Sequence, residues 1–200
     1  MIIADINIGP NAAFHMLRHF VEIPEMLRLE MLRSGRTEEA IEKELREPGS
    51  RFETEFAQDI EVLLDRILED GYEEEIGANG NLVWKGWADP NRFPHGAGTQ
   101  SVVHIDTIPK GSKSLIYKMV NRGVALMHFK VGKLPLTHKY TIILKPTQTR
   151  PVFITAFPGA PAMPLPERSM VESLYKQCKA YWDTHLFLVE DDIKTKKDNQ

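Results

Sequence analysis

Cys178 is the only cysteine among the 200 residues. An internal disulfide and a thiolate metal cluster are therefore excluded. No apolar run reaches the roughly 18 residues that a membrane span needs. The first ten residues, MIIADINIGP, lack a basic n-region and carry too short an apolar run for a signal peptide. Cytoplasmic residence is expected, either in the producing cell or after delivery into a target cell. There is no internal repeat and no glycine-rich phosphate loop of either common kind. The most telling shortage is of acid. From Thr107 to Pro166 there is no Asp or Glu, while the same span holds Lys110, Lys113, Lys118, Arg122, Lys130, Lys133, Lys139, Lys145 and Arg150. A two-metal nuclease needs clustered carboxylates, and residues 76–166 offer only Asp89 and Asp106.

What is present divides sharply by charge. The net charge of −3 conceals −11 over residues 1–75 and +8 over residues 76–200. A field of one sign attracts polyanions and speeds their encounter. The remaining composition is that of a soluble globular chain, and its length suits one domain or two small ones.

Residues 10–70 read as acidic helices. Pro10 opens a helical pattern with Phe14, Leu17, Met26, Leu29 and Leu32 as core positions, split or kinked by Pro24 and stopped by Gly35. Thr37 caps a short second helix. Ser50 and Glu53 suggest a capping box for a third, with Phe52, Phe56, Ile60, Leu63, Leu64, Ile67 and Leu68 as its stripe and Gly71 as its end. His15 and His19 lie four apart on one helical face, a spacing that can hold a metal. No third ligand accompanies them, and a surface or packing role is expected.

After Tyr72 the pattern changes to strands. Asn79-Gly80 between extended pieces signals a hairpin. Ala88 to Gly98 reads as a loop. Ser101–Ile108 and Val124–Val131 read as strands, with a short helix over Ser112–Asn121 between them. A helix follows from Glu167 to about His185, then a disordered tail over residues 191–200. The expected fold is α+β, with an acidic helical region (1–75), then a twisted antiparallel sheet with flanking helices in a basic domain (76–190).

The hairpin Thr137–Gly159 is the stretch on which a site would rest. Lys139–Lys145 and Val152–Phe157 are rich in β-branched and aromatic residues and are joined by the polar turn Thr147–Arg150. Four of seven histidines, His95, His104, His128 and His138, fall within residues 95–138. Histidine moves protons near neutral pH, and Lys or Arg steadies charge developing on a phosphate. A carboxylate-poor, histidine- and lysine-rich sheet therefore fits metal-independent RNA cleavage by the ribose 2′-hydroxyl, with no cofactor and with RNA as partner. The candidates for chemistry are His104, His128 and His138, with Asp106 placed to orient His104; Thr155, on a face with Phe153 and Phe157, reads on composition as a β-branched residue filling its strand. Lys113, Lys130, Lys139, Lys145 and Arg150 are the candidates for holding RNA. The same basic face suits a non-catalytic RNA-binding module, and the helices suit a protein-interaction or assembly domain.

The order of a helix and then antiparallel strands, ending on VFITAFPG, resembles the barnase–EndoU–colicin–RelE-like ribonucleases of bacterial toxins and phages. The resemblance covers about residues 76–160. It implies a metal-independent endoribonuclease and a cognate inhibitor protein as partner. It places Thr155 as the late-strand hydroxyl and His104 or His138 as the proton-transfer residue. The basic-histidine helix of such nucleases has no obvious counterpart here; Lys113 and Lys118 on the expected helix Ser112–Asn121 are the nearest equivalents.

Overall fold

The structure is a computed structural model. It describes residues 5–47, 49–108, 110–111, 114–120 and 124–190, the backbone alone at 117–120 and 124. The chain is α+β and divides into two compact units: Met1–Ser101 with Pro135–Met163, and Val102–Leu134 with Pro164–Gln200. Both are discontinuous in sequence, and neither follows the boundary expected near residue 75. Residues 191–200, expected as a tail, lie outside the described residues.

The first unit opens with α1 (Pro10–Met16), where a proline suits the first turn because its missing N–H would have no partner. A 3-10 turn, Leu17–His19, continues it. Pro24 then separates α2 (Glu25–Arg33). Thr37 caps α3 (Glu38–Leu45) by accepting from the Ala40 N–H at 3.2 Å. α4 (Ile60–Asp70) is capped by Asp59, whose carboxylate accepts from the Val62 N–H at 2.8 Å, and it ends at Gly71, with φ +81°. The capping box expected at Ser50 and Glu53 does not form. The backbone of Phe52 is taken up instead by bridges to Phe20 and Gly98, and its N–H donates to the His19 carbonyl at 2.7 Å. Met26, expected in the core, is 72% exposed. Met31, Leu17 and Ile41 form the small core between the N-terminal helices in its place.

The strands of this unit are β1 (Glu73–Ile76), β2 (Leu82–Trp87), β3 (Gly98–Thr99), β7 (Leu136–Thr137), β8 (Lys139–Lys145) and β9 (Val152–Pro158). β1, β2, β8 and β9 make one antiparallel sheet in that order, and β3 pairs with β7. Because side chains alternate along a strand, Trp84, Tyr140, Ile142 and Ala156 share a face. They are buried with Ile60, Leu63, Leu64 and Ile67 of α4 and with Met16, Phe20, Phe52 and Phe56. Helices and sheet therefore share one core. The other face presents two cross-strand rows, Lys85–Thr141–Phe157 and Val83–Ile143–Thr155.

The second unit contains β4 (Val102–His104), β5 (Leu115–Val120), β6 (Val124–Val131), α5 (Glu172–Trp182) and β10 (His185–Glu190). The strand order is β4-β10-β6-β5, and the sheet is mixed because β10 runs parallel to β6. The helix expected over Ser112–Asn121 is instead the strand β5, paired with β6 from Leu115↔Phe129 to Val120↔Val124. A sequence with Ile, Tyr and Val in that stretch fits a pleated partner better than a helix. α5 stops at Trp182, earlier than expected, and β10 follows it. Val103, Met127, Phe129, Leu134, Leu186 and Leu188 form this unit's apolar core.

Candidate functional site

α1 lies along the edge strand β9. The Met16 sulfur accepts from the Ala156 N–H at 3.2 Å and lies 3.8 Å from the Thr155 hydroxyl, so it occupies hydrogen-bonding capacity that an edge strand otherwise leaves open. One turn on, the His19 ring meets Phe157, with centroids 6.4 Å apart. Thr155 and Phe157 are two residues apart and share a face of β9. The same turn carries His15, whose ring meets that of His19 edge-on at 5.7 Å. Two helical histidines and a late-strand hydroxyl are thereby gathered at one edge of the sheet.

The electrostatics of the two imidazoles are set by burial. Desolvation lowers the pKa of His19 to about 4, with smaller contributions from His15, Arg18 and Arg51 that act against the hydrogen bond to Ser50. His19 is thus neutral at physiological pH. Its Nδ1 lies 2.9 Å from the Ser50 carbonyl oxygen. A carbonyl can only accept, so Nδ1 carries the proton and Nε2 keeps a lone pair. His19 retains a partly exposed surface. His15 is also held below the ordinary histidine value, first by burial and then by the Arg18 charge. Arg18 is itself fixed, its Nε donating to Glu44 Oε1 at 2.8 Å.

The residues expected to form a site fall in both units. His138, Lys139, Lys145, Arg150 and Thr155 are in the first, and His104, His128 and Lys130 in the second. Lys113 lies outside the described residues. Within the first unit the set is spread out. Lys139 and Lys145 are the two ends of β8, roughly 20 Å apart at the usual strand rise, and Arg150 belongs to the turn at the Lys145 end. Thr155 pairs with Ile143, so His138 lies roughly 17 Å from it along the strand. His138 is held by the Ala88 carbonyl at 3.1 Å and stacks on Trp87, with centroids 5.6 Å apart.

In the second unit His104 stands opposite His185 on adjacent strands, and their rings meet edge-on at 5.0 Å. His104 Nδ1 accepts from the Asp106 backbone N–H at 3.2 Å and caps the 3-10 turn Ile105–Thr107. The Asp106 carboxylate lies 3.4 Å from the same nitrogen, so backbone and side chain of Asp106 both meet the ring. His185 stacks on Tyr181 at 3.7 Å, and its Nδ1 meets the Tyr181 carbonyl at 2.9 Å. His128 is buried on β6 against Phe187, with its Nδ1 3.1 Å from the Leu126 carbonyl. A core position accounts for that residue. Lys130 is exposed.

Sequence reasoning misses His15 and His19 as site residues, and misses His185 altogether. The visible signal for the first two is their spacing of four in AAFHMLRHF, which by itself points only to a metal site. Among the described residues no group of three or more His, Cys, Asp or Glu could hold a metal ion. No described helix is long and apolar enough to cross a membrane.

The fold and this edge define an α+β chain whose first unit sets a histidine-bearing helix against the last strand of an antiparallel sheet. No protein-family model, curated protein or solved structure matches the chain.

Proposed function

We propose that the protein is a metal-independent endoribonuclease, with its reacting groups at the α1–β9 edge. The observation that carries the reading is the seating of the His15–His19 turn against the Thr155–Phe157 stretch. The resemblance pairs the late-strand hydroxyl, Thr155, with a proton-transfer histidine expected at His104 or His138; in this reading His15 and His19 fill that role instead, on a histidine-bearing helix of the kind such nucleases carry. From sequence, the nearest equivalent of that helix falls at residues 112–121, where residues 115–120 form a strand.

The chemistry follows from the groups present. The His19 Nε2 lone pair takes the proton of a ribose 2′-hydroxyl. The 2′-oxygen attacks its own phosphorus, and the bond from phosphorus to the 5′-oxygen breaks. The protonated fraction of His15, which burial and the Arg18 charge keep in the minority at neutral pH, gives its proton to the departing 5′-oxygen. The Thr155 hydroxyl steadies the charged phosphorane between them. The products are a 2′,3′-cyclic phosphate and a free 5′-hydroxyl, and no metal enters the sequence of steps.

The test is incubation with single-stranded RNA in EDTA, followed by analysis of the new ends. Cleavage leaving a cyclic phosphate or 3′-phosphate is expected. Cleavage that needs added magnesium removes the mechanism. Salt-sensitive binding without cleavage would leave an RNA-binding module, and no interaction with RNA at all would leave a protein-interaction domain. The resemblance to toxin nucleases adds a cognate inhibitor protein as a further expected partner.

A further inference from the structure

The cross-strand row that ends at Phe157 leads in the other direction into a cleft of about 690 Å³, lined by Lys85, Trp87, Lys139 and Thr141, with Asp70 and Glu73 on its wall. Every lining residue belongs to the first unit. Trp87 is 53% exposed, an unusual fate for the largest side chain. It is opposite Lys139 across the strands. One ring face is buttressed by His138, which does not line the cleft, so the indole turns another surface into the cavity. The charges there are mostly satisfied. Asp70 accepts from Arg92 at 2.8 Å, and Lys85 pairs with Glu75. Lys139 is exposed and has no ion pair among the described residues, and Glu73 is exposed on the wall. A cleft so balanced does not suit a dense run of phosphates. It suits one flat ring and one phosphate.

We infer that this cleft is a base-binding subsite for single-stranded RNA, in which Trp87 stacks a nucleobase and Lys139 holds the adjoining phosphate. The inference rests on the RNA reading above and names how that site takes its substrate. An aromatic platform beside a cation is the recurrent means of holding an unpaired base, because every base has a π face. Trp87, Lys85, Thr141 and Phe157 share one face of the sheet, so a strand held at Trp87 would extend toward Phe157, the ring that His19 meets.

The full chain is titrated in EDTA with short 2′-O-methyl RNA oligomers, which lack the attacking hydroxyl, while tryptophan emission is followed. Emission should fall on binding. Trp87→Leu, which alters an exposed position, should abolish most of that change and weaken binding by about 5- to 100-fold. Lys139→Gln should weaken binding to all sequences alike and lower the salt slope by about one. Circular dichroism shows whether each variant keeps its fold; should Trp87→Leu lose it, Trp87→Phe, with its smaller stacking surface, replaces it and should weaken binding less. If the folded Trp87 variant binds as tightly as the parent, the subsite is elsewhere, while cleavage of ordinary RNA still supports the nuclease reading. If the parent neither binds nor cleaves RNA at low salt, both readings fail together.

Discussion

The imidazole of His19 lies tilted beside the ring of Phe157, centroids 6.4 Å apart, one turn of helix beyond the point where Met16 fastens α1 to the edge of β9. This contact makes His19, and not a strand histidine, the proton acceptor to test. His19→Gln keeps a donor for the Ser50 carbonyl but removes the titratable nitrogen. RNA cleavage should fall by roughly 10²–10⁴, the usual worth of a general acid or base, with RNA affinity little changed. His15→Gln should give a loss in the same range. His104→Ala serves as the comparison and should retain most of the activity. A loss confined to His104→Ala would move the chemistry away from α1.

Thr155 is a finer probe. Its hydroxyl lies 3.8 Å from the Met16 sulfur, a long and weak contact. Valine has nearly the same shape and suits a strand. Thr155→Val should therefore leave Tm within a few degrees of the parent and reduce the cleavage rate. Unchanged activity in the folded variant would return Thr155 to a space-filling role.

His19 also makes stability depend on pH, and the sign is fixed by its depressed pKa. Folding lowers the value from 6.5 to about 4. Between these values the unfolded chain binds the additional proton, so stability rises with pH across that window. The contribution is complete above about 6.5 and is lost as pH falls toward 4. It amounts to roughly 3–4 kcal/mol at most, because each tenfold loss of proton affinity on folding is worth about 1.4 kcal/mol. Denaturant melts at pH 7 and pH 4.5 should show His19→Gln losing less stability on acidification than the parent does. Equal losses would show that His19 is not desolvated.

Much of this architecture is readable from local chemistry. Thr37, Gly71, the Asn79-Gly80 turn and the alternation of Lys139–Lys145 each mark an element that forms. Local reasoning fails where a distant partner decides the outcome. Ser50 and Glu53 have the pattern of a cap, yet the Phe52 backbone is claimed by His19 and Gly98. Residues 115–120 could be helix or strand by composition, and pairing with β6 decides. The site is hidden for the same reason. Met16 and Thr155 are 139 residues apart, and no spacing rule joins a histidine pair near the start to a threonine near the end. The charge division is a real feature of the chain. It does not mark a domain boundary, because the acidic helices and the strands β8 and β9 bury one common core.

That core contains one further pair whose chemistry can be tested. Gly86 and Tyr140 are cross-strand partners, and a Cβ at Gly86 would lie 2.2 Å from Cζ of the tyrosine ring. Gly86→Ala must therefore displace the ring from its contact with Phe56, at 4.9 Å between centroids, and should cost about 1–3 kcal/mol, as overpacking usually does. The Tyr140 hydroxyl is a separate matter. It is buried with no hydrogen-bond partner among the described residues, and burial pushes its pKa well above the ordinary tyrosine value. An unsatisfied buried hydroxyl is costly, while the ring beneath it is well packed. Tyr140→Phe keeps the ring and removes the oxygen, so it should leave the protein as stable or up to about 1 kcal/mol more stable. Thermal melts of both variants separate the two effects: Gly86→Ala is expected to lower Tm and Tyr140→Phe to hold or raise it. A clear fall in Tm for Tyr140→Phe would mean that the hydroxyl makes a bond within the folded protein, and the reading of it as an unsatisfied group would be wrong.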